Sequence, residues 1–195
     1  MRFISKAAIG LFFCFALVCP LSAITIDEIC SRLTAHSVTT GDFAQEKTAK
    51  ALKRPLKSFG KFRIDEKGII WDTQKPFKSK MIVSKTKITQ ISADGKETSI
   101  DSGENQVFAE VADTISAVFS GDKSALEAKF SVEVNDDGKN WRMKLSPKDK
   151  TIQSAITSIE MTGKIEGSEA DSVLITQASG DTIRYTFSNH AHNAF

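Results

Sequence analysis

The chain has 195 residues, 41% of them hydrophobic, with Lys+Arg 26 against Asp+Glu 24. Arg2 and Lys6 supply that excess, so beyond residue 23 the bases and acids balance. A balanced chain lacks the cationic field of a non-specific nucleic-acid binder, and it lacks the polybasic patch of a membrane-surface protein.

In chain order, the first element is a leader. After Arg2 and Lys6 comes the apolar run Ala7 to Val18, closed by Pro20-Leu21-Ser22-Ala23. A charged start, a short apolar stretch and a small-residue end read as a secretory signal peptide over 1–23, cleaved near Ala23. The run is too short to cross a bilayer core as a helix. Val18 precedes Cys19 where lipoprotein signals place Gly, Ala or Ser, which argues against lipidation there. With Cys14 and Cys19 in the leader, Cys30 remains alone and no internal disulfide forms. Residues 24–195 have the size of one domain.

Thr25-Ile26-Asp27-Glu28 carries a capping box, and Ile26, Ile29 and Leu33 share a helical face, so a short amphipathic helix is expected to about Ser37. From Gly41 the period changes to two. Segments around Phe43, Ser58–Asp65, Ile69–Thr73, Lys80–Ser84 and Lys87–Ser92 read as strands, and Asp94-Gly95 suits a tight hairpin turn. The 3.6 spacing of Val107, Phe108, Val111, Ile115, Val118 and Phe119 predicts a helix over 104–119, with Gly121 as its stop. A second short turn spans Asp122–Lys129. Alternation then resumes in Phe130/Val132/Val134, and Asp136-Asp137-Gly138 reverses the chain. Trp141/Met143/Leu145, Ile159/Met161/Ile165, Val173/Ile175 and Ile183/Tyr185/Phe187 continue it. One apolar and one polar face per strand is the antiparallel pattern. The fold expected is mainly β: one long meander of about ten or eleven strands, forming a strongly curved, incomplete antiparallel barrel with helices across its mouth.

Catalytic chemistry finds little support. Cys30 and His36 do not share a helical face, and Cys30 reads as a small buried hydrophobe. His190-x-His192 has no Cys or acid nearby in sequence, and it reads as a disordered tail rather than a metal site. There is no Gly-rich phosphate loop, no G-x-S-x-G and no C-x-x-C. No enzyme activity, metal or cofactor is expected. What remains is an apolar inventory on the strands: Phe43, Phe62, Trp71, Met81, Val83, Trp141, Met143, Ile159 and Met161. Such residues either fill a core or line a cavity for an apolar ligand, and the helix at 104–119 either completes that core or covers that cavity.

The order Gly41-Asp42-Phe43-Ala44-Gln45, Ser58-Phe59-Gly60-Lys61-Phe62, Gly68-Ile69-Ile70-Trp71 and Pro76-Phe77 resembles the LolA family of periplasmic outer-membrane lipoprotein carriers. Ile156–Met161 after Pro147, and the closing Gly180–Asn189, fit the same family, so the resemblance runs through most of residues 24–195. The spacing of the first half is closest to a LolA-like subgroup. The resemblance implies an apolar cavity under a helical lid of Val107, Phe108, Val111, Ile115 and Phe119, with Trp71 on the cavity side. It also implies a periplasmic monomer that takes the acyl chains of lipoproteins from an inner-membrane ABC transporter to an outer-membrane acceptor, without nucleic acid or catalysis. Where that family places a gating arginine before the Trp, this sequence reads Arg63-Ile64-Asp65-Glu66-Lys67-Gly68, leaving Arg63 or Lys67 as partial substitutes. The alternative is a LolA-like carrier or sensor for a different acylated envelope molecule, a glycolipid or polyene lipid. A β domain with a filled core and no ligand is the third reading.

Overall fold

The computed structural model describes residues 24–84, 86–101, 117 and 121–192. The expected leader, most of the expected 104–119 helix and all five lid residues lie outside them. Fourteen elements follow in order: α1 (Ile26–Leu33), β1 (Thr39–Thr48), β2 (Leu56–Asp65), β3 (Gly68–Lys75), β4 (Ser79–Val83), β5 (Lys87–Ser92), β6 (Glu97–Asp101), α2 (Lys123–Lys129), β7 (Phe130–Asp136), β8 (Asn140–Pro147), α3 (Lys150–Gln153), β9 (Ile156–Lys164), β10 (Ser172–Gln177) and β11 (Thr182–His192).

The capping box at Thr25 and Glu28 forms in both directions. The helix it opens stops four residues short of the expected end. Thr34 turns its hydroxyl back onto the carbonyls of Cys30 (2.9 Å) and Ser31 (3.2 Å), a local bond that competes with continuing the helix. Gly95 and Gly138 hold φ of +82° and +81° in the two expected turns, a region open to glycine at little cost.

All eleven strands join one antiparallel sheet in the order β6-β5-β4-β3-β2-β1-β11-β10-β9-β8-β7. The strand count agrees with the expectation, but the single meander is corrected. Two meanders, β1–β6 and β7–β11, are joined at the centre by the pairing of β1 with β11, and the sheet's edges, β6 and β7, lie mid-chain. The alternation that identifies each strand carries no information about which strand pairs with which across such a separation.

Direct cross-strand partners share a face, so the register decides where the apolar residues point. One row runs Val134–Met143–Met161–Val173–Tyr185–Gln45 from β7 to β1. Another runs Phe62–Trp71–Met81 from β2 to β4. Both rows lie on the same face as Phe43, Ile69, Val83, Ile159 and Leu145. The opposite face carries Asp42, Lys61, Arg63, Glu160, Lys144 and Glu133.

The apolar face is concave. The rings of Trp71 on β3 and Tyr185 on β11 lie 5.9 Å apart across two intervening strands, whereas three strand spacings in a flat sheet amount to about 14 Å. Phe62 on β2 meets Phe187 on β11 edge to face at 5.1 Å, over β1. Gly41 makes that crossing possible, because a Cβ there would stand 2.7 Å from the Phe62 ring.

Candidate functional site

The concave face divides in two. Over β7–β9 it is filled. α1 and α2 set Ile29, Cys30 and Leu126 against Phe130, Trp141, Met143, Leu145, Ile159 and Met161, each no more than 8% exposed. α1 is tied down at both ends. The Ile24 N–H donates to Asp136 Oδ2 (3.0 Å), and the Arg32 guanidinium donates to the Ile165 carbonyl. Lys123 pairs with Asp27 at 2.7 Å, linking α2 to α1. Four of the nine residues expected to line a cavity, Trp141, Met143, Ile159 and Met161, are therefore packed beneath helices. Cys30 belongs to the same core, as expected of a small hydrophobe. Burial, helped by the Asp27 carboxylate and opposed by Lys123, raises its thiol pKa, away from nucleophilic chemistry.

The other five, Phe43, Phe62, Trp71, Met81 and Val83, come together on β1–β4; Phe43, Phe62 and Val83 are buried, Trp71 and Met81 partly so, and among the described residues they stand apart from the cluster under α1 and α2. Tyr185 and Phe187 join them from β11 with their rings stacked 6° from parallel, and Phe43 packs 6.2 Å from Tyr185. The sequence shows these two aromatics on a strand but gives no sign that β11 lies beside β1. Desolvation raises the pKa of the Tyr185 hydroxyl, a sign of low local polarity. Within this floor one polar atom is unmatched: Trp71 Nε1 is buried without a hydrogen-bond partner.

Neither expected gating side chain lies on this face. Arg63 belongs to the polar face, where it pairs with Asp65 at 2.8 Å, and Lys67 sits exposed in the β2–β3 turn. That polar face holds a depression of about 460 Å³ beside Asp42, Lys61, Arg63, Asp72 and Lys80. Its charges are partly paired with one another: Lys61 bonds Asp42 at 2.8 Å, and Asn189 and Lys61 together lower the Asp42 pKa.

The expected disordered tail is corrected, because β11 continues through His192. His192 stacks on His36 (centroids 3.7 Å apart) and bonds Glu169 Oε1 at 2.6 Å, while His36 reaches Ser168 Oγ at 3.2 Å. His190 packs on Phe62 at 5.8 Å. Burial alone would raise the Glu169 pKa, but bonds from His192 and Ser168 and the nearby histidine charges bring it below its usual value. The acid that seemed missing lies 23 residues upstream, carried in by the β9–β10 loop. The cluster fastens the α1–β1 connection and that loop to β11. Among the described residues no group of three or more His, Cys, Asp or Glu is placed to hold a metal. No helix among them is long and apolar enough to cross a membrane.

The class so defined is an open antiparallel half-barrel, helix-packed on one side of its concavity and aromatic on the other. The model of the outer membrane lipoprotein carrier protein LolA-like family matches residues 18–194, and the chain belongs to that family. Similar solved structures include a DUF1329 family protein from Desulfovibrio piger (8% identity, TM-score 0.49, covering 87% of this chain and 91% of that one). A LolA superfamily protein from Nitrosomonas europaea matches at 7% identity and TM-score 0.47, over 89% and 96% of the two chains. The Pseudomonas aeruginosa MucA/MucB complex matches at 13% identity and TM-score 0.44, over 87% of this chain and 56% of that one. Membership rests on the sequence match and not on these likenesses. No curated protein matches the sequence.

Proposed function

We propose that the aromatic half of the concave face shields the acyl chains of a lipoprotein, and that the protein ferries this cargo through the periplasm from an inner-membrane ABC transporter to an outer-membrane acceptor. The observation that carries the reading is the continuous apolar face: among the described residues its helix-packed core lies over β7–β10, and Phe43, Phe62, Trp71, Tyr185 and Phe187 extend the face beyond it. Each methylene left in water costs ~0.8 kcal/mol, so long chains cross an aqueous compartment only when covered. The holding affinity must also stay below that of the acceptor, which favours a broad apolar surface over a tight polar pocket.

A second reading, a carrier or sensor for another acylated envelope molecule such as a glycolipid or polyene lipid, is favoured by one observation. Arg63, expected to gate lipoprotein hand-over, is engaged with Asp65 on the polar face. Native mass spectrometry of protein purified without detergent, followed by extraction of the denatured sample, separates the readings. Acylated polypeptide in the bound fraction supports lipoprotein carriage, and free lipid alone supports the second reading. Protein that is empty and takes up no apolar fluorescent probe overturns both.

A further inference from the structure

Trp71 Nε1–H is a buried donor with no acceptor, in a mainly apolar and aromatic floor whose margin carries Gln45, bonded to Ser58, and His190, packed on Phe62. An unmade hydrogen bond of this kind has a cost, and each such group in a folded protein calls for an explanation, which an ordered water or a bound ligand can supply. Trp71 is partly exposed as a residue, although Nε1 itself is buried. The side chains around it favour a neutral partner. Phe62 and Met81 flank it on the neighbouring strands, and Tyr185 leans over it with ring centroids 5.9 Å apart. None of these offers a cation to compensate a carboxylate.

We propose that Trp71 Nε1–H donates to the carbonyl oxygen of an ester- or amide-linked acyl chain, so that the site selects esters and amides over ethers and bare hydrocarbons. This rests on the proposed function, because it names the chemical feature of the acyl ligand that the aromatic floor reads. Apolar burial supplies most of the affinity. The indole fixes where along the chain the linkage sits and rejects ligands that leave its N–H unmatched, since a missing partner is penalised more than a present one is rewarded.

The test uses a matched pair of uncharged amphiphiles, 1-monodecanoylglycerol (ester) and 1-O-decylglycerol (ether), each displacing a neutral apolar fluorophore from the purified protein. The ester is expected to displace it about five- to tenfold more effectively. Trp71→Phe is expected to abolish that preference, so that ester and ether displace the fluorophore equally. Indole ¹H–¹⁵N spectra give a second readout that needs no variant to fold. The ester, and not the ether, moves one of the two tryptophan N–H signals downfield. Equal displacement by ester and ether, a preference surviving in folded Trp71→Phe, or an indole signal indifferent to the ester overturns the proposal while leaving the acyl carrier reading intact. Failure of both amphiphiles and the fluorophore to bind folded protein overturns that reading, and the proposal with it.

Discussion

β8 and β3 both set a tryptophan on the concave face of one sheet, and they fare differently. Trp141 is 2% exposed, its ring lying over Gly163 in a core closed by α1 and α2. Trp71 leans toward Tyr185 with its indole nitrogen unpartnered and is sealed less completely. Trp141 belongs to the core packed under α1 and α2, whereas Trp71 keeps an unmatched donor and part of its surface, although its neighbours Phe43, Phe62, Ile69 and Val83 are no more than 5% exposed. The lesson is that an apolar face need not have a single role along its whole width.

Truncating each tryptophan gives the sharpest contrast. Trp141→Ala is expected to lower the free energy of urea unfolding by about 3–5 kcal/mol, the cost of a large buried ring plus its cavity. Trp71→Ala is expected to cost about 1–2 kcal/mol, because it removes a less buried ring together with an unmatched donor. Equal losses would show that both halves are packed as one core, and the comparison would collapse.

The two glycines beneath large rings allow a finer separation. A Cβ on Gly163 would fall 2.5 Å from the Glu169 carbonyl oxygen and 2.6 Å from the Trp141 ring. Gly163→Ala is therefore expected to cost about 2 kcal/mol in unfolding while changing apolar-probe affinity less than about twofold, since its effects stay in the filled half. Gly41→Ala displaces Phe62 from its seat over β1 and is expected to weaken probe binding as well. A probe affinity indifferent to Gly41→Ala would remove Phe62 from the binding surface.

The smallest effect is set by pH. Asp137, in the turn of the filled half, accepts from the backbone N–H groups of Asn140 and Lys139 and from the Asn140 side chain, which lowers its pKa from 3.8 to about 2. The unfolded chain therefore takes up this proton first as pH falls. The stabilisation is fully present above the ordinary value and is lost on acidification toward pH of about 2. Asp137→Asn should flatten the acid limb of unfolding free energy in that window and leave neutral-pH probe binding unchanged. An unaltered acid limb would show that the turn contributes nothing.

Much of this fold was legible because each strand writes its own period. Trp141, Met143 and Leu145 alternate with Arg142, Lys144 and Ser146 in an unbroken run, and the two Asp-Gly turns mark where the chain reverses. The helix over Trp141 was legible in its cap. Which half that helix would fill was not, since α1 reaches β7 and the β9–β10 loop through Asp136 and Ile165, more than a hundred residues away. The aromatic floor was half legible. Phe43, Phe62, Trp71 and Met81 stood out by type, but Tyr185 and Phe187 join them only through the pairing of β1 with β11. His36, His192 and Glu169 likewise meet from distant segments that no local pattern connects. An unmatched indole nitrogen is a property of packing, and composition holds no trace of it.

The position of β11 also bears on how the molecule is built. The segments β1–β6 and β7–β10 can each form by pairing a strand with its neighbour in sequence. The centre of the sheet waits for the strand that ends at His192. Until it arrives, β1 presents a bare ladder of amides and carbonyls, the kind of border that recruits foreign strands. The final closure joins segments with nearly the whole sequence between them, the slow sort of contact in assembly. The seam that unites the two halves is thus also the last border to be protected against mispairing.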